Sequence, residues 1–233
     1  MITTRLLPLL AALAFAGCAT TTPAPSPEAA PMTQAAQAAM TPDQALARLK
    51  AGNERFTSGH MLARDLRAQV KATGYGQYPF ATVLSCIDSR AGPELVFDQG
   101  IGDLFSPRVA GNFTNEDILG SMEFASRLAG SKLVVVLGHS SCGAIKGACD
   151  DAALGNLTAL IGKIKPAVTS VSYTGDRSSK NTAFVELVAK ANVQRTVQDI
   201  LERSPVLREM QAKGQIKVVG AMLDVETGKV SWY

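Results

Sequence analysis

Two short stretches hold the residue types that do chemistry. CIDSR (86–90) sets Cys86, Asp88 and Arg90 two positions apart, and HSSC (139–142) sets His139 three positions before Cys142. Two thiolates and an imidazole suit zinc, which takes sulfur and nitrogen ligands in a tetrahedron and keeps its fourth position open where it is catalytic. Asp88 is near enough to Cys86 in sequence to reach the same ion, and the planar guanidinium of Arg90 can grip a carboxylate through two parallel bonds. The pair therefore reads as a gate. While Arg90 holds Asp88 the fourth position is open to water; once released, Asp88 can fill it.

Other readings of these residues are weaker. A disulfide between Cys86 and Cys142 leaves His139, Asp88 and Arg90 without a role. Gly138 and Gly143 have the G-x-x-x-x-G spacing of a phosphate-binding loop, but AIK follows where K-[ST] is required. His60, the only other histidine, stands in a polar stretch with no motif around it and reads as a solvated loop residue. Cys149 falls in the helical stretch after the site and reads as a small buried apolar residue.

Two strands must bring these stretches together. ATVLSC (81–86) and KLVVVLGH (132–139) are short apolar runs of the kind that form strands buried on both faces, and Ile216 to Leu223 makes a third. A fourth is expected near Leu104. Helical patterns fill the intervals. Thr41-Pro42-Asp43-Gln44 has the form of a capping box with proline at the first helical position, ahead of Leu46, Leu49 and Phe56. Thr114 is read as the cap of a helix carrying Ile118, Met122, Ala125 and Leu128. A long helix is expected over roughly 178–202, and Ser204-Pro205 opens another that Gly214 closes. Strands alternating with helices predict an α/β fold with a mainly parallel central sheet flanked by helices. Ligands on such a sheet bind beyond the carboxyl ends of the strands, where Cys86, His139 and Cys142 fall.

The chain begins with Arg5 and the apolar run LLPLLAALAFAG, too short to span a bilayer and suited to a signal peptide over 1–17. Cys18 follows Ala16 and Gly17 and resembles the acylated cysteine of a bacterial lipoprotein. Residues 18–40, rich in Ala, Pro and Thr, are expected to form a lipid-anchored tether, leaving 41–233 as one catalytic domain. With Cys18 set aside, three of the four cysteines remain, a poor disulfide framework. The net charge of +3 is scattered rather than clustered, so nucleic-acid binding has no footprint. The expected location is the periplasm, on the outer membrane, with membrane contact only through the lipid.

The combined spacing of Cys86-Ile-Asp88-Ser-Arg90 and His139-Ser-Ser-Cys142 resembles the zinc signature of the β-class carbonic anhydrases. The similarity extends through RLKAGNERF (48–56), PELVFDQGIGDLFSPRVAGN (93–112), EDILGSMEFA (116–125), KANVQRTVQDILERSP (190–205) and VGAMLDVETGKV (219–230). Ala91-Gly92 departs from the family's usual Val-Pro or Ala-Pro at a turn. The resemblance implies a carbonate dehydratase that converts carbon dioxide to bicarbonate and a proton by a zinc-bound hydroxide, with one zinc per subunit and activity rising with pH. Asp88 would orient the hydroxide, Gln77 would donate a hydrogen bond across a homodimer interface, and Phe105, Ala110 and Phe124 would line the pocket. The Gly143 amide would meet the product oxygen. Val83 stands where a bicarbonate-regulated subgroup has tryptophan, which implies the openly accessible form, as a homodimer or dimer-based higher oligomer. Hydrolysis of carbon disulfide or carbonyl sulfide on the same fold, and a non-enzymatic zinc-binding lipoprotein, are the competing functions.

Overall fold

The computed structural model describes residues 26–233. Its centre is a five-stranded sheet in the order β2-β1-β3-β4-β5, with β1 at Ala81–Ser85, β2 at Leu104–Phe105, β3 at Leu133–His139, β4 at Lys217–Leu223 and β5 at Val230–Trp232. The first four strands run parallel, and β5 returns antiparallel on β4. Every residue of β1 and β3 is buried. This is why both read as continuous apolar runs, since a parallel strand covered on both faces has no solvent side to make polar.

Alternation along these strands feeds two separate cores. Ala81, Val83, Leu133, Val135 and Leu137 face one side, against Ala45 and Leu49 of helix α2 (Pro42–Ser58). Leu84, Val134 and Val136 face the other, against Leu119 and Met122 of α5 (Glu116–Glu123), Val193 and Ile200 of α8 (Thr182–Arg203), and Leu207 of α9 (Pro205–Ala212). A third cluster joins Cys86 and Cys142 to α6 (Gly143–Cys149), α7 (Gly155–Ser170) and the first turns of α8. The site thus stands on packed apolar ground at one end of the sheet.

The expected α2 capping box forms, with Thr41 and Gln44 bonding reciprocally. Ser204 caps α9 as expected. At α5 the cap is Asn115, whose side chain accepts from the Ile118 amide at 2.8 Å, and not Thr114. Beyond Glu123 the helix widens into a π-helical turn, Phe124–Leu128, which leaves Phe124 and Leu128 facing out. Helices α3 (Leu66–Thr73), α4 (Pro93–Val96) and α7, together with strand β5, were not expected from periodicity.

The tether reading of 18–40 fails where the structure describes it. Residues 26–40 form a short 3-10 turn, Pro27–Ala29, and helix α1, Gln34–Ala39. Met32 is buried in the core under α2. Gln37 Nε2 donates to the carbonyls of Pro79 and Ala129 at 2.8 and 2.7 Å, and Glu28 pairs with Arg55 at 3.0 Å. Capped turns and buried amide bonds compensate for the poor apolar content that suggested an unpacked segment. Cys18 and the signal segment lie outside the described residues. Among the described residues no helix is long and apolar enough to cross a membrane.

Candidate metal centre

The parallel pairing of β1 with β3 sets the two chemical stretches side by side. Ser85 lies opposite Leu137, so the chain leaves both strands at the same edge of the sheet. Cys86 follows β1 directly, and His139 ends β3. Ser141 then takes a left-handed turn with φ of 54°, which returns the chain so that Cys142 becomes the residue before α6. The turn is held from outside: the Ser141 amide donates to Glu186 Oε1 at 3.0 Å and the Ser140 amide to the Leu223 carbonyl at 2.8 Å.

One ligand atom from each of Cys86, His139 and Cys142 lies within 4.8 Å of the others, and all three residues are buried. The two sulfurs are 4.0 Å apart and the cysteines are free. A tetrahedron with zinc–sulfur bonds of about 2.3 Å has an edge of about 3.8 Å, so the spacing suits a shared ion and is about twice a disulfide bond. His139 Nδ1 bonds to the Ser140 carbonyl at 2.8 Å, which places the proton on Nδ1. Nε2 is left buried with no hydrogen-bond partner. A buried acceptor without a donor is costly, and a cation between the three atoms removes that cost. The residues therefore fit zinc.

As free thiols the two cysteines are coupled. The hydrogen bond from Cys142, together with the neighbouring His139 and the Gly111 amide, pulls the Cys86 thiol down against the opposing effect of burial. The same bond and the charge of the Cys86 thiolate, with burial, push Cys142 up. Burial works against a charged His139, but the neighbouring thiolate outweighs it and raises that pKa. The cluster thus favours negative sulfur beside positive charge, the state a divalent cation would complete.

Asp88 stands at the rim. Arg90 Nε and Nη2 donate to its two carboxylate oxygens at 2.9 Å each, and the Arg90 amide adds a third bond of 2.9 Å. These bonds hold the Asp88 carboxyl far below the usual carboxylate range despite partial burial. Its Oδ2 is 3.9 Å from His139 Nε2. The arginine-held arm of the expected gate is therefore the one present. Arg108, missed in the sequence reading although it stands in the quoted segment RVAGN, fixes the backbone beneath: its guanidinium donates to the carbonyls of Cys86 at 2.9 Å and Asp88 at 2.6 Å.

A scan of family models matches residues 81–230 to one described as carbonic anhydrase. The chain belongs to the carbonic anhydrase family, in its β class. Carbonic anhydrase 2 of Mycobacterium tuberculosis is 36% identical over 188 residues, covering 78% of this chain and 87% of that protein. The β-carbonic anhydrase CafA of Aspergillus fumigatus superposes with a TM-score of 0.61 at 26% identity, over 82% of this chain and 89% of that one. One of the tetrameric β-carbonic anhydrases of Sordaria macrospora gives 0.60 at 23% identity, over 78% and 90% of the two chains, and shows the shared fold.

The residues that the resemblance implied for the substrate pocket divide into two groups. Gly143, exposed, opens α6 next to Cys142, where helix geometry leaves its amide without an intrahelical acceptor. Ala110, half-buried, precedes Gly111, whose amide donates to Cys86 Sγ at 3.4 Å. Gln77, Phe105 and Phe124 are not brought to the metal cluster of their own chain. Gln77 is exposed before the amino end of β1, with the whole strand between it and Cys86. Phe105 and Phe124 meet edge to face, with centroids 6.3 Å apart, in an open groove of about 740 Å³ that includes none of Cys86, His139 and Cys142.

Proposed function

We propose that this chain is a zinc-dependent carbonate dehydratase in which Cys86, His139 and Cys142 hold the metal and Asp88, fixed by Arg90, orients the reacting water. The observation that carries this reading is the orphaned Nε2 of His139 among two free cysteine sulfurs, beside a carboxylate that arginine holds ionised. Zinc, when bound, supplies the positive charge that makes water acidic enough to attack carbon dioxide near neutral pH. Asp88 accepts a hydrogen bond from that water and aims its lone pair. Because its acceptor oxygens stay charged across the working range, loss of activity at low pH arises elsewhere. Cys86 itself belongs to a buried apolar cluster that includes Phe113 and Ile145.

A second copy completes the pocket in this reading. Gln77, Phe105 and Phe124 lie away from their own cluster, and exposed Phe124, at 54% of its surface, is the kind of side chain a dimer covers. Acylation at Cys18 would hold the enzyme on the periplasmic face of the outer membrane. Stopped-flow carbon dioxide hydration by the purified wild-type chain and Cys142→Ser tests the catalytic reading: wild type should exceed the buffer rate at least a thousandfold at saturation and Cys142→Ser should match buffer. A wild-type rate equal to buffer, with zinc bound, would sink it. Cys18→Ser should move the protein from membrane to soluble fractions; unchanged fractionation would remove the anchor.

A further inference from the structure

Asn192 is a polar residue on the apolar stripe of α8, between Val188 and Thr196 and only 2% exposed. A buried amide costs stability unless it is bonded. Its Nδ2 donates to the Gly111 carbonyl at 2.7 Å, in a fully buried bond between segments 81 residues apart. The other end of the same glycine faces the metal centre, with its amide donating to Cys86 Sγ at 3.4 Å. Gly111 has φ of 81°, in the left-handed region that favours glycine, and a Cβ there would also press on the end of the Ile164 side chain. Asn112 follows at φ of 42°, and its amide closes the turn on the Val109 carbonyl at 2.9 Å.

We propose that Asn192 is a positioning residue for the metal centre: by anchoring the Gly111 carbonyl it aims the Gly111 amide at the Cys86 sulfur. The amide offsets part of the thiolate charge and fixes the direction of the sulfur lone pairs, so that Cys86 meets the metal in one geometry. Asn192 touches neither metal nor substrate and acts only through Gly111. This inference rests on the reading of Cys86 as a metal ligand.

Protein loaded with the NMR-active cadmium isotope in place of zinc tests both levels separately. Scalar coupling from cadmium to the β-protons of Cys86 and Cys142 reports ligation, and coupling to the Gly111 amide proton reports the N–H···S bond. Wild type should show all three. Asn192→Leu should keep the cysteine couplings, lose the one at Gly111, and release zinc to a chelator about tenfold faster or more. A merely structural asparagine would lower thermal stability and leave coupling and zinc release unmoved. Coupling to both cysteines but not to Gly111 in wild type, a spectrum independent of how the variant folds, would overturn the proposal alone. Cadmium uncoupled from Cys86 would remove the metal-site reading beneath it.

Discussion

Two of the aspartates that arginine grips, Asp98 and Asp88, do opposite work. Asp98, fully buried, is bonded by Arg55 and Arg64, whose side chains are 19% and 7% exposed, and accepts the Leu62 amide at 3.2 Å. It ties α2, the loop before α3 and the end of α4 into one unit. Asp88 is gripped as fully, but by an Arg90 whose side chain is 51% exposed, next to a histidine nitrogen without a partner. The difference lies in what surrounds the pair. Where water is excluded, neither partner can leave without exposing the other to an apolar interior, so the pair belongs to the fold. Where the guanidinium is open to water, the pair adds little to stability and its carboxylate can serve chemistry.

Breaking the buried pair should have the largest effect. Arg64→Leu should destabilise the protein by about 3–5 kcal/mol in urea unfolding, because it leaves Asp98 buried with half its compensation. The folded fraction should keep its kcat. Arg90→Ala should do the reverse, lowering carbon dioxide hydration about a hundredfold with zinc content and urea midpoint as in wild type, since Asp88 loses the hold that orients it. A large stability loss in Arg90→Ala would erase the distinction between the pairs. Arg90→Lys should fall between, because an ammonium keeps the charge but not the two parallel bonds.

The smallest effect concerns acid. Burial alone would raise the Asp98 pKa, but Arg55, Arg64 and the Leu62 amide outweigh it, and the folded value is depressed. Such a group contributes stability above its unfolded value of about 3.9, and the contribution is lost as pH falls through the folded value. Urea midpoints measured between about pH 6 and pH 3 should therefore decline less steeply for Asp98→Asn than for wild type. Raising the salt should leave that difference in place, because a buried pair is poorly screened.

The sequence was most informative where one physical demand acted alone. Strands β1, β3 and β4 were legible because covered parallel strands read as apolar runs, and the cluster of Cys86, His139 and Cys142 because so few residue types suit zinc. Helix α7 escaped because Gly162 and Pro166 break the expected pattern, although Ile161, Ile164 and Val168 keep helical spacing. Strand β5 is three residues long and pairs only at the edge of the sheet. Residues 26–40 looked unpacked because composition counts apolar area and overlooks amide bonds such as those of Gln37. Asn192 left a fainter trace. A polar residue on a buried helical stripe signals a partner without saying which. Gln77 could not be placed from one chain at all, since the role proposed for it depends on a second.

Zinc content of the purified wild-type chain, measured together with alkylation of its cysteines by mass spectrometry, tests the central claim most directly. The account predicts one zinc per chain, with Cys86 and Cys142 protected from the reagent until a chelator removes the metal, and partly exposed Cys149 reacting throughout. A chain without zinc, or one in which Cys86 and Cys142 are joined as a disulfide and no metal is bound, would contradict it.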